Sequence, residues 1–517
     1  MDDPKQPEAS KRALPQWWRT LSNPSASTEA IVWAFLIFTV IAIRAYLVHL
    51  VPVAIWSDDA GSYVGSAFRW VHTGVWATDP RRGPIYSLLI AACSKLTGNI
   101  DSVMLVQHFL GGISVLLAMA SLRALYDRTM LVPIALCSYA YAVYGLPIYL
   151  EQLIRNETLL FFFSSVAIAS WLFAIKFEKP HLLWISGIAA GLLMSTKSVF
   201  GPFPLIVILG HLFYWRSTPG LAVKFALIFM VAFALPLAGV RVLKRLTVHN
   251  APPQPQAGIL LYARTAQFTV LEGGIEPEIK EQIHQEVEDY RKHILKIGHL
   301  DNNEIIYRTI APHLSRILRS QGKLPADVSN LCMRLALEGI NHHKAQYASQ
   351  VLHDLERLHL KGGYKLDSPK PKDLSSVAAK LKDPKELKHP DPLMRIDETV
   401  AQLEAHDGAN QFKTFHRLIK TSWMFLLAPV LFTTILLPLI IFLKRDRMQL
   451  FWIGAAAVWF FTMVLLSTVG RPLDRYLIPA VPVMFLTLST GVVYAWEWLN
   501  SFLTKKFRPP LGDSAGD

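Results

Sequence analysis

Cysteine is scarce in this sequence, which holds only Cys93, Cys137 and Cys332. They lie far apart, without a CxxC pair or the Cys/His spacing of zinc ligands, so neither a disulfide framework nor a zinc site is predicted. The histidines between positions 249 and 416 also lack an HExxH pattern or a comparable pair on one helix face. Ordinary surface histidines account for them better than a metal centre does.

Charged residues are also few, at 18% against 52% hydrophobic residues, and the mean hydropathy of +0.30 is too high for an ordinary soluble protein. The net charge of +13 comes from Lys and Arg that fall largely in short loops and tails beside apolar runs. That placement is typical of topology determinants, so nucleic acid is not an expected partner. The first 30 residues lack the short apolar core of a cleaved signal peptide. The sequence therefore predicts a multi-pass membrane protein whose first span is a signal anchor.

Ten apolar segments approach the length of about 20 residues that a bilayer core requires. They are residues 31–50, 101–121, 131–148, 157–175, 182–197, 199–215, 221–243, 421–443, 450–468 and 476–497. Their flanking Lys and Arg residues favour both chain ends in the cytoplasm. The charged residues near positions 58, 157, 197 and 475 then lie on the opposite face, and we expect the plasma (inner) membrane.

Residues between the apolar blocks indicate an inserted domain. The segment 246–418 is charged, begins with the stiff run Asn250–Pro255, and holds apolar residues at helical spacing from Ile279 to Ile297. The predicted fold class is an all-α polytopic bundle of about ten spans with a mostly helical extracytoplasmic insert. The predicted domains are a cytoplasmic tail at 1–30, a catalytic membrane module at 31–245 with its first outer loop at 52–99, the insert at 246–418, C-terminal membrane helices at 419–500 and a cytoplasmic tail at 501–517.

Asp58 and Asp59 follow the first apolar segment directly. Adjacent carboxylates at a membrane surface repel each other and lose hydration, so they are usually kept for protons, cations or substrate. One alternative is that they cap a surface helix over 60–71, and another is that one of them caps while the other acts as a general base. A second surface helix is predicted from Ile85 to Ala92.

Glu157 is a second acidic candidate, because it stands at the outer start of a predicted span close to Arg155. A solvated interfacial pair is its simpler interpretation. The cations predicted on the same face are Arg81, Arg82, Lys197 and Arg475. Arginine presents a fixed fork of donors that suits phosphate oxygens, although each cation could also be an interface anchor.

Taken together, these motifs resemble the GT-C class of membrane glycosyltransferases, in particular the protein mannosyltransferase and aminoarabinose transferase superfamily (glycosyltransferase family 39-like). The likeness covers most of 31–243 and 421–497, while the insert is unlike the family apart from a short run at 261–264. The matching runs are Asp59-Ala60-Gly61-Ser62-Tyr63, Arg82-Gly83-Pro84-Ile85-Tyr86, Glu157-Thr158-Leu159 and Arg475-Tyr476-Leu477-Ile478-Pro479-Ala480-Val481-Pro482, with weaker likeness at Gly191–Lys197 and Leu261-Tyr262-Ala263-Arg264. Many relatives have Asp-Glu where this chain has Asp58-Asp59, and the spacing to Tyr63 favours Asp59 as the counterpart.

The resemblance implies transfer of a sugar from a polyprenyl-phosphate donor to a lipid, glycan or protein acceptor, with inversion. It implies Asp59 as the base, with Asp58 and Glu157 beside it. Substrate would contact Tyr63, Arg81, Arg82, Tyr86, Lys197, Arg264, Arg475 and Tyr476. Some relatives use Mg²⁺ or Mn²⁺, which the three carboxylates could hold. A transporter or flippase for an anionic lipid, and a scaffold presenting the insert, are the alternatives.

Overall fold

The computed structural model describes residues 16–52, 54, 60–74, 82–197, 203–214, 217–247, 257–265, 268–271, 277–278, 280–281, 284–285, 322, 325–360 and 481–506. Within these ranges the elements are helices, as the sequence predicts. They are α1 Gln16–Ser22, α2 Ala26–Leu50, α3 Ala60–Thr73, α4 Pro84–Thr97, α5 Ser102–Leu125, a 3₁₀ turn Arg128–Met130, α6 Leu131–Ala142, α7 Gly145–Gln152, α8 Glu157–Lys176, α9 Leu182–Thr196, α10 Phe203–Tyr214, α11 Pro219–Thr247, α12 Ala257–Thr265, α13 Pro325–His342, α14 Lys344–Leu360 and α15 Val481–Lys506.

Five of the described helical segments are long and apolar enough to cross a membrane, and the chain is a helical membrane protein. They are Ala26–Leu50, Ser102–Leu125, Arg128–Gln152, Glu157–Lys176 and Pro219–Leu246. These agree within a few residues with five of the ten predicted spans. The third is broken, because α6 ends at Ala142 and α7 begins only at Gly145.

The other predicted spans overlap described helices that are not among these five, or lie outside the described residues. The segment 182–197 agrees with α9 within one residue, and its 15 residues are fewer than the roughly 20 that cross a bilayer core; the described part of the segment 199–215 is α10. The segment 476–497 overlaps α15, which begins at Val481 and is not one of the five apolar spans. The segments 421–443 and 450–468 fall outside the described residues.

Helix α8 lies at the centre of the membrane bundle, packed between α5 and α9, and α9 packs in turn on α11. The α9–α11 crossing depends on glycine. A Cβ at Gly187 would lie 2.6 Å from the carbonyl oxygen of Phe229, and one at Gly191 would lie 2.4 Å from that of Phe233. Small residues let membrane helices approach closely, so backbone packs directly on backbone here.

The helices predicted over 60–71 and from Ile85 to Ala92 are confirmed as α3 and α4, which pack on each other. Their apolar faces form a second hydrophobic cluster that includes Tyr63, Ala67, Tyr86 and Ile90. The cluster continues into the first residues of α5 and α8. The helical hairpin is thus fixed on one end of the bundle.

The described part of the predicted insert is helical. Helix α12 packs on α13, where a Cβ at Gly258 would overlap the carbonyl oxygen of Ser329. The buried Lys280 pairs with Glu338 at 2.8 Å. The predicted single helix over 325–360 is two helices, because α13 ends at His342 and α14 begins at Lys344. The predicted helix over 303–320 and the predicted loop at 366–392 lie outside the described residues.

Both ends of the bundle can be recognised from side-chain contacts. At one end, α2 stops and α4, α5 and α8 begin, next to the end of α9; this end is called the site end below. At the opposite end, Nε1 of Trp18 donates to Oδ1 of Asn500 and the hydroxyl of Tyr126 donates to Oγ1 of Thr490. Phe485, nearer the start of α15, stacks on Tyr141 at 4.1 Å between ring centroids. Helix α15 therefore begins toward the site end.

Candidate functional site at one end of the bundle

The run Arg82-Gly83-Pro84-Ile85-Tyr86 docks the start of α4 on the end of α9. Gly83 is the N-cap of α4 and Pro84 occupies the first turn, where its missing N–H costs nothing. A Cβ at Gly83 would lie 2.4 Å from the carbonyl oxygen of Ser195 and 2.8 Å from that of Thr196. Only glycine fits this approach. The positive end of one helix dipole therefore meets the negative end of another.

Arg82, Tyr63 and Tyr86 form a stack beside this contact. The ring of Tyr86 meets that of Tyr63 edge to face, with centroids 5.0 Å apart and planes at 90°. The guanidinium carbon of Arg82 lies 5.3 Å from the centroid of the Tyr63 ring, a cation–π distance. Both tyrosines are buried. The stack holds the cationic group of Arg82 against an aromatic ring at the end of the bundle.

Tyr86 is a neutral hydrogen-bond donor in this arrangement. Its hydroxyl donates to Oε1 of Gln107 at 2.6 Å. Burial raises the pKa of Tyr86 well above its ordinary value, and the carboxylate of Glu157 raises it further. Tyr86 therefore keeps its proton and cannot serve as a general base near neutral pH.

An ion pair between Glu157 and Lys197 joins the start of α8 to the end of α9. Nζ of Lys197 lies 3.5 Å from Oε1 of Glu157, whose side chain is 2% exposed against 20% for Lys197. The first turn of α8 also favours a negative side chain through the helix dipole. Nδ2 of Asn156 approaches the carbonyl oxygen of Thr196 at 3.5 Å. The interfacial-pair interpretation of Glu157 and Arg155 is wrong, because Glu157 is buried and pairs with Lys197.

Beneath this surface lies a buried ionic network that the sequence analysis did not single out. Nη2 of Arg44 on α2 donates to Oε1 of Glu151 on α7 at 2.7 Å. Nδ1 of His108 on α5 lies 2.8 Å from Oε2 of the same carboxylate. A Cβ at Gly111 would overlap Oε1 of Glu151, so this glycine leaves room for the carboxylate. Arg44 and His108 interrupt apolar runs in the sequence, and that was the signal for the network.

Gln107 connects the network to the stack. Its Nε2 donates to the carbonyl oxygens of Glu151 and Leu153, each at 2.7 Å, while its Oε1 accepts from Tyr86. Gln107 therefore ties α4 to the turn between α7 and α8 that presents Glu157. This amide uses both of its N–H donors, and its oxygen accepts one hydrogen bond, all within the bundle.

The structure brings five of the sequence-predicted site residues to the site end: Tyr63, Arg82, Tyr86, Glu157 and Lys197. Arg264 belongs to α12, but its side chain is outside the described part of the chain. Asp58, Asp59, Arg81, Arg475 and Tyr476 also lie outside the described residues. The described residues hold no group of three His, Cys, Asp or Glu side chains that could bind a metal. The expected set of Asp58, Asp59 and Glu157 stays a prediction.

Comparisons with protein-family models, with curated proteins and with solved structures found no match to this chain.

Proposed function

We propose that this protein is an integral membrane glycosyltransferase of the GT-C type, which transfers a sugar from a polyprenyl-phosphate donor to a lipid, glycan or protein acceptor. The observation that supports the proposal is the convergence of motif residues that are distant in sequence. Tyr63, Arg82 and Tyr86 stack at the same end of the bundle as the Glu157–Lys197 pair. A site with cations and acids at the end of a membrane bundle suits a lipid-linked phosphate substrate.

The proposed step is an inverting displacement. The acceptor hydroxyl or amine loses its proton to Asp59 and its oxygen or nitrogen forms a bond to the anomeric carbon of the sugar. The bond from that carbon to the phosphate oxygen breaks, and the electron pair leaves with the polyprenyl phosphate. Arg82, Lys197 and Arg475 would stabilise the growing phosphate charge, because preorganised cations act most strongly in a water-poor site.

The remaining predicted residues have supporting roles in the proposal. The ring of Tyr63 packs against the guanidinium group of Arg82, and Tyr86 holds α4 in place through its hydrogen bond to Gln107. The residues that would contact substrate are Tyr476, Arg81 and Arg264. Asp58 and Glu157 would flank the base. Carboxylates bind Mg²⁺ or Mn²⁺ well, but Glu157 is the only one of the three among the described residues, so no step is assigned to a metal.

The predicted site lies outside the cytoplasm, at the plasma membrane. The topology of ten spans with a helical insert over 246–418 is part of the same proposal. Helix α15 begins toward the site end and follows the Arg475-Tyr476 motif in the chain. This order supports placing the motif near the Tyr63 stack.

A transporter or flippase for a lipid-linked anion is the second candidate. Two observations favour it: the Arg44–Glu151–His108 network inside the bundle and the break between α6 and α7. However, Arg44 stands six residues before the end of α2, or about 9 Å along the helix. Arg44 is equally far from Phe38 at the midpoint of α2, so the network lies halfway between the centre of this span and the site end, and not at the midplane where transporters usually bind substrate.

The purified protein in liposomes, given a panel of polyprenyl-phosphate sugars, separates these candidates. We expect release of polyprenyl phosphate with sugar transfer, and a loss of about 10²–10⁴-fold in Asp59→Asn, which keeps shape but removes basicity. Asp58→Asn should cost less if that residue mainly caps α3. Full activity in both variants would remove the mechanism, and movement of intact donor between leaflets without turnover would favour the transporter. Mass spectrometry of lipids and glycans from a deletion strain would identify the sugar and acceptor.

A further inference from the structure

The buried network around His108 has a hydrogen-bonding pattern that fixes where its protons lie. His108 presents Nδ1 to Oε2 of Glu151 at 2.8 Å and Nε2 to Oε1 of Gln152 at 2.9 Å. A neutral imidazole has one N–H donor and one acceptor nitrogen, whereas the doubly protonated ring has two donors. The state of the ring therefore follows from the nature of its two partners.

The orientation of the Gln152 amide is set by its other contacts. Its Nε2 donates to the carbonyl oxygen of Val51 at 2.7 Å, and a carbonyl oxygen can only accept. The opposite end of the amide, facing His108, is thus the oxygen. Nε2 of His108 must carry a proton to bond to it.

The partner of Nδ1 is a carboxylate. Oε1 of Glu151 accepts from Nη2 of Arg44 at 2.7 Å, and an arginine stays charged in proteins. This contact favours the ionised form of Glu151, whose Oε2 then accepts a hydrogen bond from Nδ1 of His108. Both ring nitrogens of His108 face acceptors.

We propose that His108 is a doubly protonated imidazolium in the bundle core, which donates from one ring nitrogen to Glu151 and from the other to Gln152. With Arg44 positive, Glu151 negative and His108 positive, the network carries a net charge of +1. Loss of the proton from His108 would break the hydrogen bond to Gln152 or that to Glu151. The inference does not depend on the proposed glycosyl transfer.

The neighbouring ionisable groups are compatible with a cation there. The ionisable described side chains recorded around the network are Tyr141, which is influenced electrostatically by Arg44 and Glu151, and Tyr86, which bonds to Gln107 and is influenced by Glu157. Among these described groups, Glu151 is the one recorded in an ion pair with the His108 ring. A buried positive charge is costly in a membrane bundle and is usually retained for function. Here it adds a fixed positive potential beneath the site end, which would attract an anionic headgroup or phosphate.

The test is nitrogen NMR of the full chain in lipid nanodiscs, with its 17 histidines labelled with ¹⁵N. At about pH 8 an exposed histidine has lost its second proton. We expect an imidazolium signal, with both ring nitrogens protonated, that His108→Gln removes. His49→Gln, at the exposed end of α2, should leave the signal unchanged.

A second variant guards against misfolding of the first. Glu151→Gln removes the carboxylate and should convert the His108 ring to a neutral form with one bare nitrogen. The spectrum of the unaltered protein also tests the proposal without any substitution. Absence of any imidazolium signal at this pH would overturn the proposal, as would a signal that persists in both His108→Gln and Glu151→Gln. The NMR signal of His108 and glycosyl transfer are measured separately, so a protein without transferase activity can still confirm this inference.

Discussion

The hydroxyl of Tyr86 donates a 2.6 Å hydrogen bond to Oε1 of Gln107, and this bond joins α4 to the interior of the membrane bundle. Gln107 uses its amide nitrogen to hold two carbonyl oxygens of the turn that precedes Glu157. The position of α4 and the position of Glu157 are therefore linked through one side chain.

Removing this bond should destabilise the protein measurably. Tyr86→Phe leaves Oε1 of the buried Gln107 without its donor, and such a loss costs about 1–3 kcal/mol of unfolding free energy. Tyr139→Phe is the matched control, because Tyr139 is 46% exposed, and it should change stability by less than about 0.5 kcal/mol. Unfolding midpoints of both variants in the same detergent compare the two. Equal midpoints would show that the Tyr86 bond does not hold the hairpin.

Gly83 should tolerate no larger residue. A Cβ in Gly83→Ala would enter the backbone of α9 at Ser195, so α4 must shift at a cost of about 1–3 kcal/mol. Gly65→Ala is the control within α3, where a Cβ meets nothing within 4 Å. It should be neutral or stabilise by up to about 1 kcal/mol, because alanine favours a helix over glycine. Thermal unfolding of both variants checks the difference, and a stable, active Gly83→Ala protein would contradict the docking geometry.

The buried carboxylate of Glu151 should be more important for stability than a carboxylate at the other end. Glu151→Leu leaves the charges of Arg44 and His108 buried without a counterion, which costs about 3–5 kcal/mol. Glu29 pairs with Arg123 and Arg128, both more than 30% exposed, so Glu29→Gln should cost about 1 kcal/mol or less. Chemical unfolding of the two variants tests this order, and a reversed order would show that the network contributes little.

Hydropathy predicted the helical class and five apolar spans because burying about 20 apolar residues in lipid leaves few alternatives to a helix. It also located α9, which agrees with the predicted segment 182–197 within one residue, and the described helix α10 lies inside the predicted segment 199–215. Helical spacing gave α3 and α4 correctly. The break at Val143 and Tyr144 was not visible in the pattern, because both sides of it are apolar.

The structure of the candidate site could be predicted from sequence only where it depends on residues adjacent in the chain. Gly83 and Pro84 mark the start of α4 from local chemistry alone. The partnership of Glu157 with Lys197 depends on how α8 and α9 pack, and sequence spacing does not contain that information. Gln107 and His108 were overlooked because a few polar residues do not disturb an apolar average. Polar residues inside a span are costly, so their presence was the stronger signal.

Lys197 provides the sharpest test of a phosphate site at this end. If its ammonium group binds the donor phosphate, Lys197→Gln should raise the KM for a polyprenyl-phosphate sugar by about tenfold or more, since a charge-assisted hydrogen bond contributes roughly 1.5–3 kcal/mol. Lys197→Arg should recover part of the loss. Lys179→Gln, beyond the far end of α8, should leave the KM unchanged. Steady-state kinetics of the three proteins measures this.

Lys197 also neutralises Glu157, so a stability effect must be separated from a substrate effect. Lys197→Gln alone leaves a carboxylate that is 2% exposed with its nearest recorded cation gone, and the unfolding midpoint should fall. Glu157→Gln combined with Lys197→Gln removes both charges and should restore much of the midpoint. The KM should stay high in the double variant if Lys197 contacts the phosphate directly. Recovery of both the midpoint and the KM would instead mean that Lys197 acts only by holding Glu157, and the donor phosphate would then have to be bound by other cations such as Arg82.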